Sequence, residues 1–287
     1  MSALPDRSRF FVSTEWLAGH LDDAGVAVVD GTWHLAATGR SGRAEYEAAH
    51  IPGAVFFDID AISDKENPLP HMLPTPQEFA AAAGALGIDE GQRIVVYDGL
   101  GLYSAPRVWW TFKVMGARDV VILDGGLPAW VAAGRPTGSG HAHRRRRTFR
   151  GRIDPGAVLD LAAVRAGLAA DAIQLVDARP ASRFLGQAPE PRPWVRSGRI
   201  PGSLSLPSSE LIANGRLKAA EALRTAFADA GVDLARPVAT SCGSGVNAAI
   251  LTLALDVLGV ADSALYDGSW TEWGGRSDTP IAVGPAG

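Results

Sequence analysis

The chain has 287 residues, of which 47% are hydrophobic and 20% charged, with a formal net charge of -4 at neutral pH. That is an ordinary globular composition at a length that suits two domains, and the mild negative charge argues against a general nucleic-acid binder, whose domain is normally basic. No apolar run approaches the ~20 residues that span a bilayer, Met1 to Phe10 lacks the apolar core of a secretory signal, and Cys242 is the only cysteine, which excludes an internal disulfide and argues against a cysteine-based zinc site.

In chain order, Val26 to Asp30 reads as a buried parallel strand. The turn Ile51-Pro52-Gly53-Ala54 follows. Thr75 to Leu86 reads as a helix, with Thr75 and Pro76 at its start and Gly87 beyond its end. Ile94 to Tyr97 and Val120 to Leu123 are further strands, separated by a helix over Ala105 to Met115 that Gly116 ends. Asp124-Gly125-Gly126 and Trp130 close this half. Gly134 to Gly156 is rich in Gly, Pro, Arg and His, has no apolar period, and reads as a linker. Its run Arg144 to Arg147, with Arg150 and Arg152, reads as solvated linker charge rather than a nucleic-acid patch.

The same landmarks then return in the same order: Leu175-Val176-Asp177, Ile200-Pro201-Gly202-Ser203, a strand over Pro237 to Ser241, a helix over Ala248 to Leu258 before Gly259, a strand over Ala264 to Tyr266, then Asp267-Gly268-Ser269 and Trp273. Each recurs after about 145 residues, far beyond the ~20–50 of solenoid repeats, so a whole domain is duplicated. Strand–helix alternation makes the fold α/β. The expectation is two tandem domains, residues 1–138 and 157–287, joined by a linker at 139–156, each a mainly parallel sheet flanked by helices.

The most informative stretch is Ala239-Thr240-Ser241-Cys242-Gly243-Ser244-Gly245-Val246-Asn247-Ala248, where a strand runs into a small-residue turn and then a helix. Two glycines allow a tightly curled backbone, whose N–H groups can converge on an anion together with the positive end of the helix. A cysteine at the mouth of such a cradle should carry a large thiolate fraction. Gly243-Ser244-Gly245-Val246-Asn247-Ala248 also fits a dinucleotide fingerprint, but only one strand-like run remains beyond it, too little sheet for such a fold. No arginine closes the loop as a cysteine phosphatase requires, and Ser244 lacks the setting of a serine hydrolase nucleophile. The first half has no cysteine, and Asp98 or a near neighbour occupies the equivalent position, so that half is expected to wall the site rather than catalyse.

Further runs carry a family resemblance. These are His50 to Asp60, Gly101-Leu102-Tyr103-Ser104-Ala105-Pro106-Arg107-Val108-Trp109-Trp110, Arg183-Phe184, Pro189-Glu190-Pro191-Arg192, the Cys242 loop and Tyr266-Asp267-Gly268-Ser269-Trp270. With them the chain resembles the rhodanese family of sulfurtransferases from about Phe11 to Thr279, and within it the mercaptopyruvate branch, since Gly243 and Ser244 stand where thiosulfate enzymes carry basic residues. The resemblance implies a Cys242 persulfide, with Arg183 and Arg192 holding the donor's carboxylate and carbonyl, and with Gly243, Gly245, Val246 and Asn247 shaping the loop. Asn247 replaces the threonine usual there. It further implies a proton-handling group containing Ser244 and His50; the acidic partner described upstream of that histidine has no counterpart in Gly39 to Arg43. It implies 3-mercaptopyruvate or thiosulfate as donor, a thiol, thioredoxin or cyanide as acceptor, and no cofactor, metal, nucleic acid or membrane. A cytoplasmic monomer is expected. The alternatives are a thiosulfate:cyanide sulfurtransferase and a non-catalytic sulfur-relay module.

Overall fold

The structure, a computed structural model, describes residues 6–285. In the first half, β1 (Phe11–Val12), β2 (Val26–Asp30), β3 (Val55–Phe56), β4 (Arg93–Tyr97) and β5 (Asp119–Leu123) form one sheet in the order β1-β5-β4-β2-β3. In the second, β6 (Val158–Leu159), β7 (Gln174–Asp177) and β8 (Leu204–Ser205) are followed by a hairpin of β9 (Ile212–Ala213) and β10 (Arg216–Leu217), then β11 (Val238–Ser241) and β12 (Ser263–Tyr266). The second sheet runs β6-β12-β11-β7-β8, so it repeats the first strand for strand. Every pairing within the two five-stranded sheets is parallel, and the hairpin is antiparallel. Parallel strands need cover on both faces, which is why β2 reads Val-Ala-Val-Val-Asp and is buried throughout.

The cover comes from α1 (Thr14–Gly19), α2 (Gly42–Ala48), α3 (Pro76–Ala85), α4 (Ala105–Val114) and α5 (Gly126–Ala132), then α6 (Leu161–Ala169), α7 (Ala181–Phe184), α8 (Ala220–Asp229), α9 (Ala248–Val257) and α10 (Ser269–Gly275). The start of α3 carries the capping box its sequence implies: Thr75 accepts from the Glu78 amide while Glu78 reaches back to the Thr75 backbone. No helix among the described residues is long and apolar enough to cross a membrane.

The two equivalent helices α4 and α9 pack on each other and join the domains. Each buries every residue but one, Lys113 in α4 and Asp256 in α9, and those two pair with each other near the helix ends. Helices buried on every side belong inside a core, and one hydrophobic cluster runs from Phe112 in the first domain to Ile250 and Leu251 in the second.

The segment 139–156 departs from a solvated linker. Arg145 and Arg146 are exposed, but Phe149 is buried with its ring 5.2 Å from Phe79 and 6.2 Å from Phe112. The Arg147 amide donates to Gly84 O, its side chain pairs with Asp89 at 2.5 Å, and Arg144 donates to Val26 O. One apolar anchor among the arginines is enough to strap the segment along the first domain.

Candidate active site

The six-residue loop Cys242–Asn247 links β11, flanked by β7 and β12, to the start of α9. Its outer side is fixed by the first turn of α10. The Cys242 amide donates to Ser269 Oγ at 3.2 Å, the Trp270 amide to Cys242 O at 2.9 Å, and both the amide and hydroxyl of Thr271 to Gly243 O. With the loop's carbonyls held outward, its amides are left over: those of Gly243 through Asn247 have no acceptor within the chain among the described residues. Gly245 sits at φ +79°, and a Cβ there would lie 2.5 Å from Arg107 Nη1, so glycine is required on both counts. Cys242 itself is 3% exposed.

The loop opens on a cavity of about 400 Å³ built by both domains, with Trp33, Leu35 and Tyr103 from the first. Burial, and then the charge of Cys242, push the Tyr103 phenol upward. From the second domain come three arginines of unequal status. Arg179 is 1% exposed and is neutralised by Asp177 at 2.6 Å and Glu190 at 2.8 Å. Arg183, on α7, shares Glu190 through two N–H groups, and its Nη2 would stand 3.3 Å from a Cβ on Gly243. A side chain at 243 would crowd that guanidinium. Arg192 has no carboxylate partner among the described residues; its side chain reaches Thr271 Oγ1 at 3.5 Å. Burial first, and then Arg183, push its pKa down. Three cations against two carboxylates leave one positive charge facing the cavity, the setting in which an anionic ligand is favoured. Asn247 turns its amide to Ser208 Oγ at 3.4 Å, and both line the cavity wall.

The structure does not bring His50 here. Its Nδ1 donates to Tyr46 O at 2.8 Å, its ring stacks on Tyr46, and its backbone pairs with Gly138. His50 ties the start of the linker segment to α2. The histidine beside the cysteine loop is His71, from the long connection between β3 and α3. Its Nδ1 lies 2.9 Å from Ser244 Oγ and its Nε2 2.9 Å from Asp60 Oδ1. Trp33 Nε1 donates to the other Asp60 oxygen at 3.0 Å. The hydrogen bond with His71 lowers the Asp60 pKa, so the group is a carboxylate and can only accept. Nε2 therefore donates to Asp60, and in the neutral ring Nδ1 accepts from the Ser244 hydroxyl. The His71 side chain is 2% exposed and that of Asp60 64%, so the row leads from the buried loop to solvent.

Comparison with known proteins adds the lineage. A model of the rhodanese-like domain matches residues 13–133 and again 160–276. The chain belongs to the rhodanese family. It is 42% identical over 275 residues to the 3-mercaptopyruvate sulfurtransferase of Escherichia coli K12, covering 95% of this chain and 97% of that one. It is 41% identical to the mitochondrial thiosulfate/3-mercaptopyruvate sulfurtransferase 1 of Arabidopsis thaliana, covering 94% of this chain and 77% of that one. Among solved structures, SseA from Escherichia coli matches with a TM-score of 0.85 at 40% identity, covering 91% of this chain and 98% of that one.

The loops of the two rhodanese domains differ in what their amides face. Asp98, just after β4, stands where Cys242 stands after β11. Its Oδ1 accepts the Leu100 amide at 2.8 Å, and its Oδ2 accepts the amides of Tyr103, Ser104 and Ala105 at 2.7, 2.9 and 2.8 Å. The first domain's cradle is filled by its own carboxylate. Among the described residues no group of three or more His, Cys, Asp or Glu is placed to hold a metal ion.

Proposed function

We propose that this chain moves sulfur from 3-mercaptopyruvate to a thiol acceptor such as thioredoxin, or to cyanide, through a persulfide on Cys242, with release of pyruvate. The observation that carries this reading is the pairing of a cysteine under unengaged backbone amides with an uncompensated Arg192 across the same cavity. Arg192 and Arg183 take the donor's carboxylate and carbonyl, for which a planar fork of N–H groups is well shaped. The Cys242 thiolate attacks the donor sulfur. The S–S bond forms as the C–S bond breaks, and the electron pair leaves with pyruvate as its enolate. The thiol proton of the donor is the one that the methyl group of pyruvate needs, and Ser244, backed by His71 and Asp60, stands beside the cysteine to pass it. The cradle amides then hold the negative outer sulfur until the acceptor removes it, a two-step scheme through a covalent intermediate. One thiol with no disulfide partner accords with the cytoplasm, and the scheme needs only a single copy of the chain.

The donor is decided at the loop. No basic side chain lies between Cys242 and Asn247, so a thiosulfate dianion gains little there, while Arg192 suits a carboxylate. The expected kcat/KM favours 3-mercaptopyruvate over thiosulfate by at least about tenfold, or ~1.4 kcal/mol. Incubation with 3-mercaptopyruvate should add about 32 Da, one sulfur, by intact mass. Equal or better use of thiosulfate would make the chain a thiosulfate:cyanide sulfurtransferase, and the absence of any adduct would leave a relay module.

Arg192→Lys keeps the charge and loses the fork. Its KM for 3-mercaptopyruvate should rise roughly tenfold, the low end of what one charge-assisted hydrogen bond contributes. Alkylation of Cys242 by a neutral reagent should keep its rate. Slower alkylation with unchanged KM would mean that Arg192 acts on the cysteine instead of the substrate.

A further inference from the structure

Arg107 belongs to the first domain, at the first turn of α4, in a run of sequence to which the mechanism above gives no part. Its side chain is 2% exposed and lies behind the cysteine loop of the other domain. Nη1 pairs with Asp267 Oδ1 at 2.8 Å and approaches Gly245 O at 3.5 Å, while Nη2 donates to His71 O at 2.5 Å. The remaining Asp267 oxygen accepts the Leu73 amide at 2.7 Å. The ion pair thus grips the segment around His71 twice, by the carbonyl of residue 71 and by the amide of residue 73. The segment needs such a grip, because His71 stands at φ +64°, a backbone region that non-glycine residues seldom adopt. The grip also has to cross the domain interface. His71 comes from the first domain and Ser244 from the second, and Arg107 touches the backbone of both segments.

We propose that Arg107, together with Asp267, is a positioning device for the proton path. It sets the His71 backbone and the cysteine loop in one register, so that the His71 Nδ1 to Ser244 hydrogen bond forms. The consequence for catalysis rests on the reading of Ser244 and His71 as that path; the placement of His71 does not. Arg107 contacts neither Arg183 nor Arg192, so its effect should fall on turnover and leave donor binding alone.

Two readouts separate these claims. The first is NMR of 15N-histidine-labelled protein, with the His71 signals assigned by loss in His71→Gln. In the wild type, His71 should show the single tautomer protonated at Nε2. Arg107→Lys keeps a charge for Asp267 but has one nitrogen where the guanidinium uses two, so it loses the fork that serves Asp267 and His71 O together, and its His71 should show mixed tautomers. The second is steady-state kinetics with 3-mercaptopyruvate: kcat should fall about tenfold or more with KM within about twofold, since the affected step is proton transfer. The kcat–pH profile should change shape in the same way as in His71→Gln, whereas a variant that is merely less stable keeps the wild-type profile at lower amplitude. Breaking a buried pair from one side leaves an uncompensated charge, so Arg107→Met with Asp267→Asn is the companion variant: it removes both charges, and the asparagine keeps an acceptor for Leu73. The same two changes are expected in it. An unaltered His71 signal in both variants overturns the positioning role whatever the kinetics do. An altered signal with unaltered kcat upholds the positioning role and overturns the proton path.

Discussion

Cys242→Ser should abolish both the sulfur adduct and pyruvate release while leaving the fold intact. The two atoms that fix residue 242 in place are its amide, on Ser269, and its carbonyl, under Trp270. Neither involves Sγ, so a serine fits with a change in unfolding free energy of about 1 kcal/mol or less, the range expected for a near-isosteric swap. The chemistry is lost because a hydroxyl does not ionise near neutral pH and cannot carry a transferable sulfane sulfur. Intact mass after incubation with 3-mercaptopyruvate, and pyruvate release in the presence of a thiol, measure the two losses separately. The chain has no second cysteine to take over. Turnover above about a thousandth of the wild-type rate, well beyond what binding and orientation alone retain once a nucleophile is removed, would place the sulfur carrier elsewhere.

What could be read from the sequence was what is local. The duplication shows because each domain keeps its own strand–turn–helix landmarks, and the long apolar helices α4 and α9 declare their burial residue by residue. The linker segment was misjudged because its composition is dominated by surface arginines, while its position depends on the single ring of Phe149. The site histidine failed for a different reason. His50 sits in a recognisable turn motif, whereas His71 lies in a connection with no period, and its partner Ser244 is 173 residues away. A usable signal was present: an acidic partner upstream of the histidine was expected, and Asp60 precedes His71 as no acid in Gly39 to Arg43 precedes His50. Arg179, Arg183 and Arg192, all in the β7–β8 connection, are alike on paper. Only the packing shows that Arg179 is neutralised, that Arg183 is half engaged with Glu190, and that Arg192 has no carboxylate partner among the described residues.

The largest effect on stability is expected from Asp98→Ala, in the domain that lacks the cysteine. The Asp98 carboxylate is 1% exposed and takes four backbone amides, three of them on one oxygen. Removing it leaves four donors converging on a hole too buried to be freely hydrated. A hydrogen bond to a charged group contributes about 1.5–3 kcal/mol, and an orphaned buried donor costs about 1–3 kcal/mol. Such terms overlap within one cluster, so the whole is expected to reach roughly 4 kcal/mol, a large share of the ~5–15 kcal/mol that holds a domain folded. Urea unfolding measures it directly. Asp98→Asn should lose about half as much: its oxygen can serve the three amides of Tyr103, Ser104 and Ala105, while its NH2 group faces the Leu100 amide donor to donor. Both variants should also lose activity, because α4 begins at Ala105 and carries Arg107 to the cysteine loop. The decisive comparison is with added sulfate. If the emptied loop is a true counterpart of the cysteine cradle, sulfate should restore more stability to Asp98→Ala than it adds to the wild type, through binding to the folded state. An alanine variant as stable as the wild type, or one that sulfate helps no more than it helps the wild type, would mean that the two loops share a course through space but not an anion site.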